Sequence, residues 1–178
     1  MGKIVSAIDT GTVVGRKSAG FACLPNGGLR WNQGVAVVDP IRLTATAADE
    51  LASRHLPLSR PDRVATLFNV RTEAQLPFAV SAEITGAQFE LCQPEWGLGR
   101  LTKVRGSGAL KMRWHILSRA TNRITISIVT DCDAKIGSKD GGFSILLDRI
   151  VRECARQFSS HDGVTRLVQA PTQPQTEQ

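Results

Sequence analysis

Two alternating apolar strands within residues 109–130 constrain the fold more than any other part of the sequence. The apolar positions are Leu110, Met112, Trp114 and Ile116 in the first strand, and Ile124, Ile126 and Ile128 in the second. Polar residues stand between them, and residues 119–122 form a short polar link. Alternation on both sides of a turn predicts an antiparallel hairpin with one apolar face. Because a two-stranded ribbon is unstable alone, other parts of the chain must cover that face.

The cover is predicted from a change of period after the hairpin. Apolar residues then recur at helical spacing at Phe143, Leu146, Leu147, Ile150, Val151, Cys154 and Phe158. Arg149, Arg152 and Arg156 fall on the opposite side. This pattern is typical of an amphipathic helix of about four turns whose apolar stripe packs on a sheet.

Further segments complete the predicted α+β fold. Thr46 and Asp49 have the form of a capping box, which predicts a shorter helix that ends near residue 55. Residues 78–92 alternate like a strand and change phase at Gly86, as at a β-bulge. Turn residues 25–28, between apolar segments, predict a small hairpin. We therefore expect an antiparallel sheet of three or more strands, covered by the amphipathic C-terminal helix and the shorter N-terminal helix.

The domain organisation is predicted to be simple. With 178 residues the chain is long enough for one core. Residues 1–20 are expected to form an extended arm or an edge strand, residues 21–162 a single α+β domain, and residues 163–178 a disordered tail. Residues 63–70 are expected to form a short strand or a turn, and the polar segment 93–108 a surface loop. No apolar run reaches the length of a transmembrane helix.

The charge of the chain bears on its partners. A net charge of +6 is compatible with nucleic acid, anionic lipid or an acidic protein. The basic residues are scattered, however, which favours a solubilising surface, and the few aromatics weaken the case for nucleic acid. Trp96 serves either loop packing or partner binding. With the basic residues Arg100, Lys103 and Arg105, it is our candidate contact with protein partners, in a homo- or hetero-oligomer.

The four cysteines have no spacing typical of a zinc site. Cys23 and Cys92 each lie at the end of a predicted strand, so they are the favoured bonded pair in an oxidising compartment. Cys132 and Cys154 fit either a second bridge or two buried thiols. In the cytosol all four are expected to be reduced.

Asp9 begins the sharpest short motif, Asp-Thr-Gly-Thr. The motif resembles the aspartic-protease signature, in which a second carboxylate must share the proton; a second copy of the chain would have to supply it. Residues 7–12 also resemble the first phosphate motif of sugar kinases and actin-like ATPases, which need about twice this length. The remaining resemblance is to the first strand of ribonuclease-H-like nucleases, where Glu83 and Asp131 or Asp133 would join Asp9 around metal ions.

No other catalytic motif is recognisable in the sequence. His115 alternates outward on the hairpin and His55 ends the shorter helix, so both are predicted to face solvent. Walker loops, nucleophile elbows and metalloprotease motifs are not found in the sequence. We therefore expect no cofactor and no metal, unless Asp9 has a nuclease role.

The order of the segments resembles envelope-associated α+β modules of alphaproteobacteria. It includes FACLPNGGLRW, DELASR, VATLF, FAVSAEITGAQFELC and the hairpin of residues 109–130, and the likeness spans about residues 20–160. Such modules occur alone or ahead of trypsin-like peptidase domains, and are similar to small domains of periplasmic Tol-type and flagellar accessory proteins. The resemblance implies a non-enzymatic role in envelope assembly and assigns no functional residue.

The expected location follows from the same resemblance. The start MGKIVSAIDTG has no secretory-signal pattern. We expect a periplasmic or envelope-associated protein if a signal peptide has been removed, and a cytoplasmic one otherwise.

The alternative function is that of a metal-dependent nuclease or another nucleic-acid-binding protein.

Overall fold

A computed structural model describes residues 1–54, 56, 78–93, 104–137 and 142–169. Within these residues the chain forms six strands and three helices. They are β1 (Ile4–Ser6), β2 (Val13–Ala19), β3 (Leu24–Arg30), α1 (Pro40–Ser53), β4 (Phe78–Gln93), β5 (Arg105–Ser118), β6 (Arg123–Ile136), α2 (Phe143–Ser159) and α3 (Asp162–Gln169). The predicted strand or turn at residues 63–70 lies outside the described residues.

The six strands form one mixed sheet in the order β3-β2-β4-β5-β6, and β1 also pairs with β4. The long strand β4 is the centre of the sheet. Its first half pairs with β1 and its second half with β2, both in parallel. All other pairs are antiparallel. The chain thus has an α+β fold with a mostly antiparallel sheet.

The predicted central hairpin is confirmed. β5 and β6 pair in antiparallel over their whole length, and residues 119–122 connect them. The predicted bulge is also confirmed, because the register between β4 and β5 shifts between Ile84 and Gly86. This shift keeps apolar side chains on one face of β4, with Ile84 before the bulge and Phe89 after it both buried. The strand β5 begins at Arg105, so the loop predicted for residues 93–108 is too long at its C-terminal end.

Helix α2 packs its apolar stripe on β5 and β6. All seven residues of the predicted stripe are buried. The ring of Phe158 stacks on Trp114 at a centroid distance of 4.7 Å. The indole Nε1 of Trp114 donates a hydrogen bond of 2.9 Å to the hydroxyl of Thr130, so the only polar atom of this buried ring is satisfied.

Helix α1 begins earlier than the predicted capping box. Asp39 is the N-cap, and its carboxylate accepts hydrogen bonds from the backbone amides of Ile41 and Arg42. Pro40 suits the first helical position because the amide that it lacks would be unpaired there. The predicted N-cap at Thr46 was wrong, because Thr46 lies inside the helix and is buried.

An ion pair connects α1 to α2. Arg42 Nε lies 3.0 Å from a carboxylate oxygen of Asp148. The hydrogen bond that Arg42 donates to Asp148 raises the pKa of the Arg42 guanidinium. The two helices therefore form one layer on the apolar face of the sheet. Their buried side chains and those of the strands form one core cluster between the two layers.

The predicted N-terminal hairpin exists, but its turn was placed wrongly. β2 and β3 are joined by residues 20–23, and Pro25 to Gly28 lie inside β3. The turn is displaced because β2 pairs with the end of β4, so the chain reverses where β4 ends. There the amide of Gly20 donates a 2.9 Å hydrogen bond to the carbonyl of Gln93. Gly20 and Cys23 have the positive φ angles of a tight turn.

At the N-terminus the structure has strands, the second of the two predicted alternatives. β1 pairs with β4 at the edge of the sheet, and β2 lies between β3 and β4. The tail predicted from residue 163 was wrong for its first residues, which form α3, with Val164 buried. Residues 170–178 lie outside the described residues.

Candidate partner-binding surface

The β2–β3 turn is fixed to the sheet by a disulfide. Cys23 is bonded to Cys92, the next-to-last residue of β4, with Cα atoms 5.5 Å apart. The guanidinium of Arg105 lies against this bridge, with Nη2 2.7 Å from Cys23 Sγ. It also donates a 3.3 Å hydrogen bond to the carbonyl of Phe21. The turn is therefore held by a covalent bond and by the side chain that begins β5.

The fixed turn exposes apolar side chains. Phe21 is 92% exposed and Leu24 is 60% exposed. A large apolar side chain held in solvent contributes nothing to the core of the free protein. Exposed apolar residues that lie together are typical of a contact surface for another molecule.

A groove lies beside this turn, which we call the basic groove. It has a volume of about 870 Å³. Its charged lining residues are Arg16, Lys17, Arg105, Lys135 and Glu90. Among the described residues, none of the four cations forms an ion pair. The groove therefore carries excess positive charge.

The face of the sheet opposite the helices carries a second surface, which we call the outer face. One row crosses four strands through Val5, Glu83, Arg113 and Val129. The central pair forms an ion pair of 3.5 Å. The two valines at its ends are 53% and 56% exposed. In the neighbouring row the ammonium of Lys111 lies 3.6 Å from Asp131.

The pairing within these rows gives the outer face its chemical character. Because each charge has a partner of opposite sign on the next strand, removal of the row from water leaves no lone charge. The valines supply apolar area on either side. Such a mixture suits a protein surface better than a single-sign polymer.

The second pair of cysteines lies on the helix side of the sheet. Cys132 of β6 is bonded to Cys154 of α2, with Cα atoms 5.4 Å apart. Both residues are buried. Of the two alternatives that the sequence left open, the structure has the bridge, which ties the covering helix to the edge strand.

The residues singled out from the sequence fall in different places. Trp96, Arg100 and Lys103 lie outside the described residues. Arg105 is at the basic groove and contacts the turn. Apart from Cys23 and Cys92, the remaining groove and turn residues were missed, because no local pattern predicts that β2 pairs with the end of β4. Only the expected link between Cys23 and Cys92 indicated that these segments lie together.

The nuclease alternative gains no support from the structure. Asp9 is exposed in the connection between β1 and β2. Glu83 and Asp131 are engaged in the ion pairs of the outer face. In the described part of the chain, no three His, Cys, Asp or Glu side chains are grouped to hold a metal ion.

A serine and a histidine meet on the outer face. Ser127 Oγ and His115 Nδ1 are 2.7 Å apart on neighbouring strands. A nucleophile activated by a base also needs donors for an oxyanion and a site for substrate. Here the pair stands on an open strand surface, with Ser127 exposed. We interpret it as a cross-strand hydrogen bond.

Comparison with known proteins gives distant structural likeness only. No protein-family model and no curated protein matches the sequence. A minor lipoprotein from Acinetobacter baumannii aligns at 11% identity with a TM-score of 0.37, over 93% of this chain and 92% of that one. A Xanthomonas campestris protein of the family DUF330 aligns at 11% identity with a TM-score of 0.39, over 93% and 81%. At this level of similarity neither carries an argument about function.

Of the helices in the described ranges, each is too short or too polar to cross a membrane.

Proposed function

We propose that the protein is a non-enzymatic structural or assembly module of a bacterial cell envelope, and that it acts through contacts with other proteins. The observation that carries this proposal is the outer face. One face of the sheet is covered by helices, whereas the other exposes Val5 and Val129 on either side of the ion pair between Glu83 and Arg113. A surface that combines apolar area with satisfied charges is suited to burial against a protein.

The two disulfides support the envelope location. Cys23 and Cys92 join two strands, and Cys132 and Cys154 join a strand to a helix. Disulfides persist in oxidising compartments such as the bacterial periplasm and are rare in the cytosol. Four cysteines paired in this way favour a periplasmic site of action.

The partner is proposed to be protein, either a second copy of this chain or a different subunit. Trp96, Arg100 and Lys103 remain proposed contacts in that assembly. Arg105 is assigned a different role, since its guanidinium contacts Cys23 and the carbonyl of Phe21.

Site-specific photocrosslinking in the native host tests the proposal. A photoreactive residue placed at Val129 is expected to form an adduct with protein, because this position is exposed in the outer face. The matched control is Ile41, which is 80% exposed at the start of α1 on the helix layer. Equal adducts at both positions, or none at Val129, would contradict a contact through the outer face.

A further inference from the structure

We propose that the β2–β3 turn and the basic groove together form a contact site for the surface of an anionic phospholipid bilayer. This function differs from the proposed protein contact, which uses the rows of Arg113 and Lys111 on the outer face. The groove lies further along the same strands, where Glu90, Ser107 and Lys135 form a separate row beside the end of β4. The site joins two features that a bilayer surface recognises: an apolar tip and a cluster of cations that form no ion pair with any residue that the structure describes.

The apolar part of the site is the tip of the turn. Phe21 is 92% exposed and Leu24 is 60% exposed, on either side of Cys23. Apolar side chains on such a tip gain free energy when they enter the boundary between headgroups and acyl chains. The tip is small, so this contribution alone gives weak binding.

The charged part of the site is the groove. Arg16, Lys17, Arg105 and Lys135 line it, and Glu90 is the only acidic side chain among the lining residues that the structure describes. Each cation held near an anionic membrane surface strengthens binding about fivefold. With the four cations opposed by one carboxylate, the groove complements a negatively charged headgroup layer.

The geometry places the two parts against the same surface. Arg105 lines the groove and donates a 3.3 Å hydrogen bond to the carbonyl of Phe21. Its guanidinium has five N–H donors, so it can contact a phosphate while it holds the turn. Because the bond between Cys23 and Cys92 fixes the turn before binding, little conformational entropy is lost on contact.

Vesicle co-sedimentation tests this proposal. The purified, oxidised chain should bind vesicles that contain phosphatidylglycerol and phosphatidylcholine at low ionic strength, and should not bind vesicles of phosphatidylcholine alone. Binding should fall as salt is raised, since exposed charges are screened. Failure to bind the anionic vesicles at low salt would overturn the proposal.

Matched variants separate a specific site from general charge. The double variant Arg16→Ser/Lys135→Ser should weaken binding about 25-fold, as two cations are removed. The control Arg123→Ser/Arg152→Ser removes the same charge from exposed positions at the hairpin tip and on α2, and should bind nearly like the original chain. Equal losses in both double variants would overturn the site.

The apolar arm of the test uses Phe21→Ser, with Ile41→Ser as the control. Phe21→Ser should weaken binding about tenfold because the inserted ring is lost. Ile41 is exposed elsewhere, and its substitution should change little. If the cation variants lose binding while Phe21→Ser does not, or if inorganic phosphate at matched ionic strength displaces the bound protein, the groove binds a soluble anion and the membrane proposal fails.

Discussion

Cys23 is bonded to Cys92, so the turn between β2 and β3 is tied to the end of the central strand β4. The bridge spans a sequence separation of 69 residues. The bridge lies beside the exposed Phe21 and beside Arg105. It therefore stabilises the domain and also fixes the turn that we propose to contact the membrane.

The first prediction concerns this bridge. Replacement of both residues, Cys23→Ser/Cys92→Ser, should lower the free energy of unfolding by about 4 kcal/mol, since the unfolded chain regains the entropy of a long loop. Denaturant unfolding of the oxidised protein and the variant measures the difference. Non-reducing peptide mapping of protein from its native source should show the pairs Cys23–Cys92 and Cys132–Cys154. Four free thiols there would contradict the envelope location.

A second prediction uses two glycines with positive φ angles. A Cβ atom on Gly15 would lie 1.9 Å from the carbonyl oxygen of Phe89, whereas one on Gly27 would meet nothing within 4 Å. Gly15→Ala should therefore destabilise the protein by about 3 kcal/mol through steric overlap and backbone strain. Gly27→Ala should cost only about 1 kcal/mol of strain. Thermal unfolding of the two variants makes the comparison, and similar losses would argue against the close pairing of β2 with β4.

A third prediction concerns the buried indole of Trp114. Thr130→Val removes the hydroxyl that accepts the hydrogen bond from Trp114 Nε1 and leaves this N–H unsatisfied in the core. The expected loss of stability is about 1–3 kcal/mol. Thr12→Val is the control, because Thr12 is exposed and should change stability by no more than about 0.5 kcal/mol. If Thr130→Val leaves the free energy of unfolding unchanged in denaturant titration, the hydrogen bond does not contribute to stability.

The elements with clear periodicity could be predicted from the sequence. Examples are the alternation in β5 and β6, the change of phase at Gly86 and the apolar stripe on α2. Each arises because the residues that face the core must be apolar, and this requirement appears in the sequence as a hydrophobic period. The strands β5 and β6 are those on which helix α2 packs. The N-terminal strands β1, β2 and β3 carry a weaker signal, because fewer of their side chains are buried.

The errors occurred where tertiary pairing overrides local propensity. Residues 25–28 have the composition of a turn, but the pairing of β2 with the end of β4 and the bridge at Cys23 require the chain to reverse earlier. The basic groove could not be predicted, since Arg16 and Lys135 come from strands distant in sequence and become neighbours only around the end of β4. The outer face was visible as the polar side of the hairpin, but its row through Val5 depends on a parallel pair with no local pattern.

The measurement that tests the central claim most directly is the native mass of the protein purified from its own host. The account predicts a mass greater than one chain, whether from further copies or from a different subunit. The double variant Val5→Glu/Val129→Glu, which places two new charges in the outer face, should return the protein to the mass of one chain. The control Val37→Glu/Ile41→Glu adds the same charges at exposed positions away from that face and should keep the assembly. A strict monomer in the original protein, or an assembly that the outer-face variant leaves intact, would contradict the account.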